Sequence, residues 1–556
     1  MCGIAGIIDP TLNREEGECL LEKMLQSIRH RGPDNSSTWV EMPVLLGHNR
    51  LSIIDLSDAA NQPMEYDDLV VVYNGEVYNY VEIKDDLIKK GYRFRTTSDT
   101  EVILAAYKEW GADCVQRFVG MWAFAIWDKT KKELFCSRDR FGIKPFYYIH
   151  SGDKFYFGSE YKPLKLSPLF DNKFNHAQIS RGLWLDNLFS YGDETYFQCL
   201  KILPARTNLL FKDGKVSATE YWDIDPCKKF KGTSEDKETH FRELFRDSVK
   251  LHMRSDVEVG ISLSGGLDSS SIASVIGTDQ PGLPISSFTI YYEGNDQTDE
   301  RPLVREVVKA CPNIKPIYYS PSDDEVAACF DHAMRLHDVP FPYSPAISSY
   351  FVMKLARQHG VKVMLDGQGA DEYLGGYPLS VENLIGASAL GLQEAPQVDL
   401  TRVGGSRLKQ YLYHLMFSNP LPALLHYGDR MSMTFSIENR VPFLDHRLVE
   451  FVHSLEDQDI VFLGTTKYIL RNSLDGLLPE AISSKRQKQA FRGKEIETWL
   501  RGPLRYLVES RFDFDRLSML QPGKVKELMR LFKSGDNSQG VWVWRLVMLN
   551  SWVNQQ

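Results

Sequence analysis

Short apolar runs punctuated by turn-forming residues fill roughly the first 210 positions of the chain: Val44–His48, Leu69–Tyr73 ahead of Asn74-Gly75, Met121–Trp127 and Phe155–Gly158. Runs of this length predict β-strands. Helical spacing interrupts them over residues 15–29 and 99–110, the second stretch opening on Ser98-Asp99-Thr100-Glu101, which offers capping side chains. Sheet with covering helices is the expected architecture. A polar, Lys-rich stretch, Asp225–Lys237, then precedes a helical pattern over His240–Arg254. Beyond it an apolar strand, Val257–Leu263, runs into Gly265-Gly266 and a helix, and a strand at Ile285–Tyr291 precedes a helix over Arg301–Cys311. That alternation predicts a parallel α/β sheet with right-handed crossovers. From about residue 410 the pattern is mostly helical, whereas 381–406 is weakly periodic and reads as a mobile loop.

The 556 residues are 43% hydrophobic and 25% charged, enough apolar material for more than one core. The pattern divides them into residues 2–222, a linker 223–237 and residues 238–556. Against 74 acidic side chains stand 65 basic ones, with no block of like positive charge, so nucleic acid is not an expected partner. No apolar stretch approaches the ~18 residues of a membrane span, and the start, MCGIAG, lacks the marks of a signal peptide. No membrane partner and a cytoplasmic location are therefore expected. The eight cysteines are scattered without a C-x-x-C pair, so neither a zinc site nor a disulfide framework is indicated.

Cys2 stands out by position. If Met1 is removed, one residue carries both a thiol and an α-amino group, whose ordinary pKa near ~8 makes it a usable base for its own nucleophile. Arg50 offers a guanidinium for a carboxylate, and Glu76 and Asp99 offer carboxylates for an ammonium. Asn74 Nδ2 with the Gly75 N–H could face a developing oxyanion. Each has a plainer alternative: a second-position Cys by accident, a surface Arg, an Asn-Gly hairpin turn.

Six ordered segments raise the chemical reading above the plain one. MCGIAG, RHRGPD (Arg29 to Asp34), HNRLSIIDLS (His48 to Ser57), NGEVYN (Asn74 to Asn79), SDTE (Ser98 to Glu101) and RDRFGIKPFYY (Arg138 to Tyr148) resemble the class II glutamine amidotransferase domain of the glutamine-hydrolysing asparagine synthetases. The resemblance implies an α+β N-terminal-nucleophile glutaminase sandwich, αββα, in which Cys2 attacks the glutamine amide. It likewise implies that Arg50, Asn74, Glu76 and Asp99 bind glutamine and that Asn74 and Gly75 form the oxyanion hole.

In the second half, Val259–Ser270 reads as strand, glycine-rich turn and helix start, a cradle of backbone N–H groups for an anion. It lacks the Gly-Lys-Ser/Thr ending of a Walker motif. Pyrophosphate is the natural guest, against the plainer reading of a Ser/Gly connection. The segment resembles the PP-loop of ATP pyrophosphatases, and an α/β parallel-sheet PP-loop domain with a helical C-terminal part follows from that likeness. It implies an ATP or pyrophosphate set of Leu263, Ser264, Gly265, Gly266, Asp268, Ser269, Gly367 and Lys488. Asp268 and Asp371 become magnesium ligands, since magnesium bridging phosphates needs only one or two protein carboxylates. Gln368, Asp371 and Glu372 become the acceptor-site candidates. DRMSM (Asp429 to Met433), IENRVPFLD (Ile437 to Asp445), KYILR (Lys467 to Arg471) and KRQKQAF (Lys485 to Phe491) extend the likeness along the chain.

One position departs from the family, which usually shows Ser-Gly-Glu-Gly where this chain has Asp366-Gly367-Gln368-Gly369. An amide cannot serve as a base. A second departure is Pro316-Ile317-Tyr318-Tyr319, where the family often shows His-His-Glu. The expected activity is glutamine-dependent, ATP-driven amidation of a carboxylate with Mg2+. Aspartate ranks first as acceptor, and a uronic acid of a surface-polysaccharide precursor or a peptide acid ranks second. A glutaminase without synthesis and, remotely, a tRNA-modifying PP-loop enzyme are the other readings. A homodimer is left open.

Overall fold

A computed structural model describes residues 2–185, 192–294, 299–340, 345–377, 404–485 and 496–556. Twelve strands build the first half: β1 (Gly3–Ile8), β2 (Asn35–Glu41), β3 (Val44–Arg50), β4 (Met64–Tyr66), β5 (Leu69–Val77), β6 (Gly120–Asp128), β7 (Glu133–Arg138), β8 (Tyr147–Ser151), β9 (Lys154–Gly158), β10 (Lys201–Ile202), β11 (Thr207–Lys212) and β12 (Lys215–Glu220). They form two six-stranded antiparallel sheets, ordered β10-β8-β9-β1-β3-β2 and β12-β11-β7-β6-β5-β4. One core lies between the sheets, where Ile4, Leu46 and Phe157 meet Val70, Val72 and Ala125. Helices Arg14–Ser27 and Asp99–Trp110 cover the outer faces, where Leu21 and Leu25 pack with Ala5 and Leu45, and Ile103 packs with Val71. The αββα sandwich expected from the sequence is present.

The apolar runs singled out above are β3, β5, β6 and β9, each with its core residues buried. Asn74-Gly75 is not a hairpin turn: β5 runs through it, paired with Ala123 and Trp122 of β6. Strand β2 escaped notice because its sequence, NSSTWVE, lies half-exposed at a sheet edge. The helix Tyr80–Lys89 also escaped notice, being short and buried only at Ile83 and Leu87.

The second half holds β13 (Val259–Ser262), β14 (Ile285–Ile290), β15 (Ile314–Tyr319), β16 (Val363–Leu365) and β17 (Glu438–Arg440). All pairings are parallel, in the order β15-β14-β13-β16-β17. The chain moves outward from β13 to β15 and then returns to the other side of β13 as β16. The crevice past the carboxyl ends of β13 and β16 is therefore a topological switch point, the place where such sheets bind ligands. The helix entering this half spans Ser234–His252, starting inside the stretch read as linker, because Thr233 and Asp236 cap it reciprocally. Most of the segment read as a loop, residues 381–403, lies outside the described residues, and Arg407–Phe417 is a helix capped by Ser406.

The halves are joined by apolar packing and by a buried ionic cluster. Trp552 of the last helix, Gly540–Val553, lies 5.3 Å from Phe174 and 5.4 Å from Tyr196, ring centre to ring centre. Arg31, fully buried, donates to Glu160 Oε1 at 3.0 Å and to both oxygens of Asp429 at 2.8 and 3.0 Å. Its Nε donates to the Cys2 carbonyl at 3.1 Å. Asp429 sits on the helix Leu421–Met433 beside Arg430, which donates to Asp338 Oδ2 at 2.6 Å and to the Ser159 carbonyl at 3.2 Å. Burial pushes the Asp429 pKa up, but the guanidinium of Arg31 beside it outweighs that and brings it down to about 2.

Breaking one side of a buried ion pair strands the other charge, so Asp429→Ala should lower unfolding stability by about 3–5 kcal/mol in chemical denaturation. Replacing Arg31 as well, Arg31→Met with Asp429→Leu, should recover part of that loss, because Glu160 keeps His30 and Lys162 and Arg430 keeps Asp338. Equal losses in the single and double variants would contradict the assignment.

Candidate functional site

The amino-terminal site lies where β1, β3 and β5 meet. The Cys2 N–H donates to Asn74 Oδ1 at 3.0 Å, and its thiol lies 3.9 Å from the Leu51 carbonyl. Burial pushes the thiol pKa up, partly opposed by the Leu51 contact and the Arg50 charge. A thiol held in its neutral form needs a base to become a nucleophile. Removal of Met1, on which a free α-amino group at Cys2 depends, concerns a residue outside the described ones.

Asn74 Nδ2 is buried without a hydrogen-bond partner, and so is Glu76 Oε2. Buried polar groups are seldom left unpaired, so these two orphans point to a guest that supplies an acceptor and a donor. Two neighbouring carboxyls give the same message. Burial, with Glu438 and Asp99 nearby, raises the Glu76 pKa well above the usual range. Burial also raises Asp99 to about 6, although the Val77 N–H and the Tyr73 hydroxyl each donate to it at 2.9 Å. Raised carboxyls side by side are a ready site for a cation.

Cys2, Arg50, Gly75, Glu76 and Asp99 line one cavity of about 30 Å3, room for a water but not for a glutamine side chain. Arg50 explains the closure. Its Nη1 donates to the Ser57 carbonyl at 2.7 Å and to Asn61 Oδ1 at 2.8 Å, while Nη2 donates to the carbonyls of Ile54 and Asp55. A substrate carboxylate reaching this guanidinium must displace the loop over residues 54–61 from part of that set.

The second site occupies the switch point, in a cavity of about 360 Å3. Gly265 turns the chain after β13 at φ 67°, with Leu303 Cβ only 2.6 Å from where a side chain would begin. Only glycine satisfies both demands. Ser264 and Ser269 then face each other at 3.1 Å across the start of the helix Leu267–Asp279. Lys467, itself left-handed at φ 55°, places Nζ 2.6 Å from both Asp268 oxygens and 2.7 Å from Asp371 Oδ1. Arg471 and Lys485 line the same cavity, as does the buried Glu300. On the β16 side the Asp366 N–H donates to the Arg440 carbonyl at 2.9 Å and Gln368 N–H donates to Asp366 Oδ1 at 3.2 Å.

Comparison with known proteins settles the family. The glutamine amidotransferase domain family matches residues 1–222, and the asparagine synthase family matches residues 240–554. The chain belongs to the asparagine synthase family. It is 31% identical to asparagine synthetase [glutamine-hydrolyzing] 3 of Bacillus subtilis, over 87% of this chain and 85% of that protein. It is also 31% identical to asparagine synthetase [glutamine-hydrolyzing] 1 of the same organism, over 100% of this chain and 97% of that protein. A third relative, 26% identical over 91% of this chain and 90% of that one, is named amidase chry2, from Gibberella zeae. The asparagine synthetases among these relatives are named for glutamine hydrolysis.

Among the residues expected from the sequence, Cys2, Arg50, Gly75, Glu76 and Asp99 converge on one cavity, with Asn74 bonded to Cys2 beside it. Ser264, Gly265, Gly266, Asp268, Ser269, Gly367, Gln368 and Asp371 converge on the other. Leu263 lies beneath the turn, its carbonyl taken by Thr289 Oγ1 at 2.6 Å. Glu372 is buried away from the cavity wall and accepts from the Tyr377 hydroxyl at 2.8 Å. Lys488 lies outside the described residues. Lys467 and Arg471 were visible in KYILR without a role, as Arg31 was in RHRGPD and Asp429 in DRMSM. Their partners are remote in sequence, so only the fold shows what each one holds.

Gly75 tests the inner geometry directly. A Cβ there would lie 2.1 Å from the Met121 carbonyl of β6, so Gly75→Ala should separate β5 from β6, with a loss of about 1–3 kcal/mol in thermal unfolding and loss of glutamine hydrolysis. Wild-type melting and hydrolysis in that variant would contradict the close approach.

Proposed function

We propose that this asparagine synthase family member hydrolyses glutamine at Cys2 and uses the ammonia to amidate a carboxylate activated by ATP at the second cavity. The observation that carries it is the pairing of the two sites through Arg31, which donates to the Cys2 carbonyl and to Asp429 of the helix Leu421–Met433. The preceding residue of that helix, Gly428, lines the nucleotide cavity.

At the first site the Cys2 α-amino group, freed by loss of Met1, takes the thiol proton as Sγ bonds to the glutamine amide carbon, and the oxyanion is taken by Asn74 Nδ2 and the Gly75 N–H. The C–N bond then breaks, ammonia leaves with that proton, and water hydrolyses the thioester to glutamate and the free thiol. Glu76 and Asp99 hold the substrate α-ammonium, and Arg50 exchanges loop carbonyls for its α-carboxylate. At the second site an acceptor carboxylate oxygen bonds to the α-phosphorus of ATP as the α–β bridge breaks, releasing pyrophosphate onto the turn Ser264–Ser269. Ammonia then bonds to the acyl carbon, AMP departs with the carboxyl oxygen, and the surplus proton leaves to solvent. Asp268 and Asp371 fit magnesium: both point at one cationic spot, now held by Lys467. Bound there, magnesium would neutralise phosphate charge. Lys467 and Arg471 supply positive charge to the departing pyrophosphate.

The names of the relatives suggest aspartate as acceptor. Gln368 in the cavity wall supports a second reading, amidation of a different carboxylate such as a uronic acid or a peptide acid. Pyrophosphate and glutamate formed with aspartate but without asparagine would favour the second.

Cys2→Ala should abolish glutamine-dependent turnover while leaving synthesis from added ammonium salts; loss of both would contradict a dedicated nucleophile. Asp268→Ala should stop AMP formation with glutamine hydrolysis retained, and normal AMP output would remove its proposed role.

The pH profile follows from Asp99. Its ionised form holds the ammonium, and burial places its titration at about 6, so protonation removes binding as pH falls through that value. Thus kcat/KM for glutamine should fall by a further factor of about ten per unit as pH drops below about 6, beyond the fall already set by the α-amino base titrating near ~8. A profile that does not steepen down to about pH 5 would contradict this.

A further inference from the structure

The nucleotide cavity has two chemically different ends. One gathers Asp268, Asp371, Lys467, Arg471, Lys485 and Glu300 around the glycine turn. The other lies between the helices Leu421–Met433 and Pro345–Gln358, which pack on each other, and is walled by Leu424, Gly428 and Met431 against Ala346, Ser349 and Val352. Gln368 closes it, its Oε1 3.9 Å from where a side chain at Gly428 would begin. Asp366, which also lines the cavity, is already committed, receiving the Asn439 amide and the N–H groups of Gly367 and Gln368. The charges at positions 429 and 430 of the same helix are engaged on its other face, with Arg31 and Asp338.

The second end is where the acceptor must lie. On the reading above nitrogen is released beside Cys2, which Arg31 links to Asp429 of the helix Leu421–Met433, and the same helix walls this end through Leu424, Gly428 and Met431. Among the described residues, an amino acid placed here would take an α-ammonium and an α-carboxylate out of water against Leu424, Met431, Ala346 and Val352, with Gln368 and Ser349 as polar neighbours beside the already bonded Asp366. Burying unpaired charge is far costlier than burying a hydroxyl or amide that finds a hydrogen bond.

We infer that the acceptor is a carboxylic acid whose body, beyond the reacting carboxylate, is uncharged: largely apolar, with hydroxyl or amide groups matched to Ser349 and Gln368. This rests on the amide-forming reading given above. It makes Gln368 a specificity residue, because its amide both donates and accepts hydrogen bonds and carries no charge for an ammonium to pair with.

Full-length protein with ATP, magnesium and glutamine, given aspartate, butyrate, 3-hydroxybutyrate or a neutral hexuronic acid derivative with one free carboxylate, separates the cases. Pyrophosphate release and the mass of the amide are read together. Uncharged acids should exceed aspartate in kcat/KM by about 100-fold or more. Aspartate turned over to asparagine with a higher kcat/KM than every uncharged acid would overturn the inference while leaving amide synthesis intact. Pyrophosphate from none of them, with Cys2-dependent glutamate release continuing, would instead overturn amide synthesis and this inference with it. Ser349→Asp, which sets a charge in the wall, should raise KM for the uncharged acid by about tenfold or more with KM for ATP unchanged; an unchanged acid KM would count against the assignment.

Discussion

Arg31 is the interaction on which the rest of the structure depends. A fully buried guanidinium is tolerated only when its charge and its donors are met, and this one is met by Glu160 from its own half, Asp429 from the other half and the carbonyl of Cys2. The same four hydrogen bonds that offset the burial penalty fix three separate pieces of backbone against one another. Arg430 extends the cluster to Asp338 and to the Ser159 carbonyl. The helix Leu421–Met433 is thereby shared: residues 429 and 430 belong to the seam, and residues 424, 427, 428 and 431 belong to the nucleotide cavity.

A second link runs through β17. Arg440 pairs with Glu438 at 2.6 Å and lies 3.8 Å from Glu76 Oε1, while its carbonyl receives the Asp366 N–H beside Gln368. The carboxyl proposed to hold glutamine and the loop that carries Gln368 are thus joined through one residue of the parallel sheet. Glu438 stays ionised in the interior because the positive charges around it, Arg440 and Lys144 among them, outweigh burial and bring it to about 2. Glu76, with Glu438 and Asp99 near and Arg440 at longer range, is driven the other way. Opposite shifts within one cluster leave the glutamine side of the seam with a carboxyl whose ionised form gains most from an arriving cation.

Much of the fold was legible because apolar periodicity is strongest in inner strands. β3, β5, β6 and β9 are nearly all buried and read clearly, whereas β2 and β12 are edge strands without one fully buried residue, and nothing in composition marks them. Short β17 was hidden inside a polar triplet, Glu438-Asn439-Arg440, whose side chains are buried only because each finds a partner or a neighbour from another segment. Cys2, Asn74-Gly75 and Ser264–Ser269 stood out because their signals are local, the first by position and the others by sequence. Lys467 between Asp268 and Asp371, and Arg31 between Glu160 and Asp429, join residues about 100 to 400 positions apart, and no spacing rule foretells them. Composition could not divide the cavity into a charged end and a neutral one either, since that division depends on which faces of two helices meet.

Docking of the two sites through Arg31 is tested most directly by the source of the product nitrogen. Glutamine labelled with 15N in its side-chain amide is supplied together with excess unlabelled ammonium, and the label in the amide product is read by mass spectrometry. With Arg31 and Asp429 intact the product should carry label far above its share of total ammonia, and in Asp429→Ala it should fall to that share. Product label equal to the bulk ratio in the unaltered protein would contradict the account.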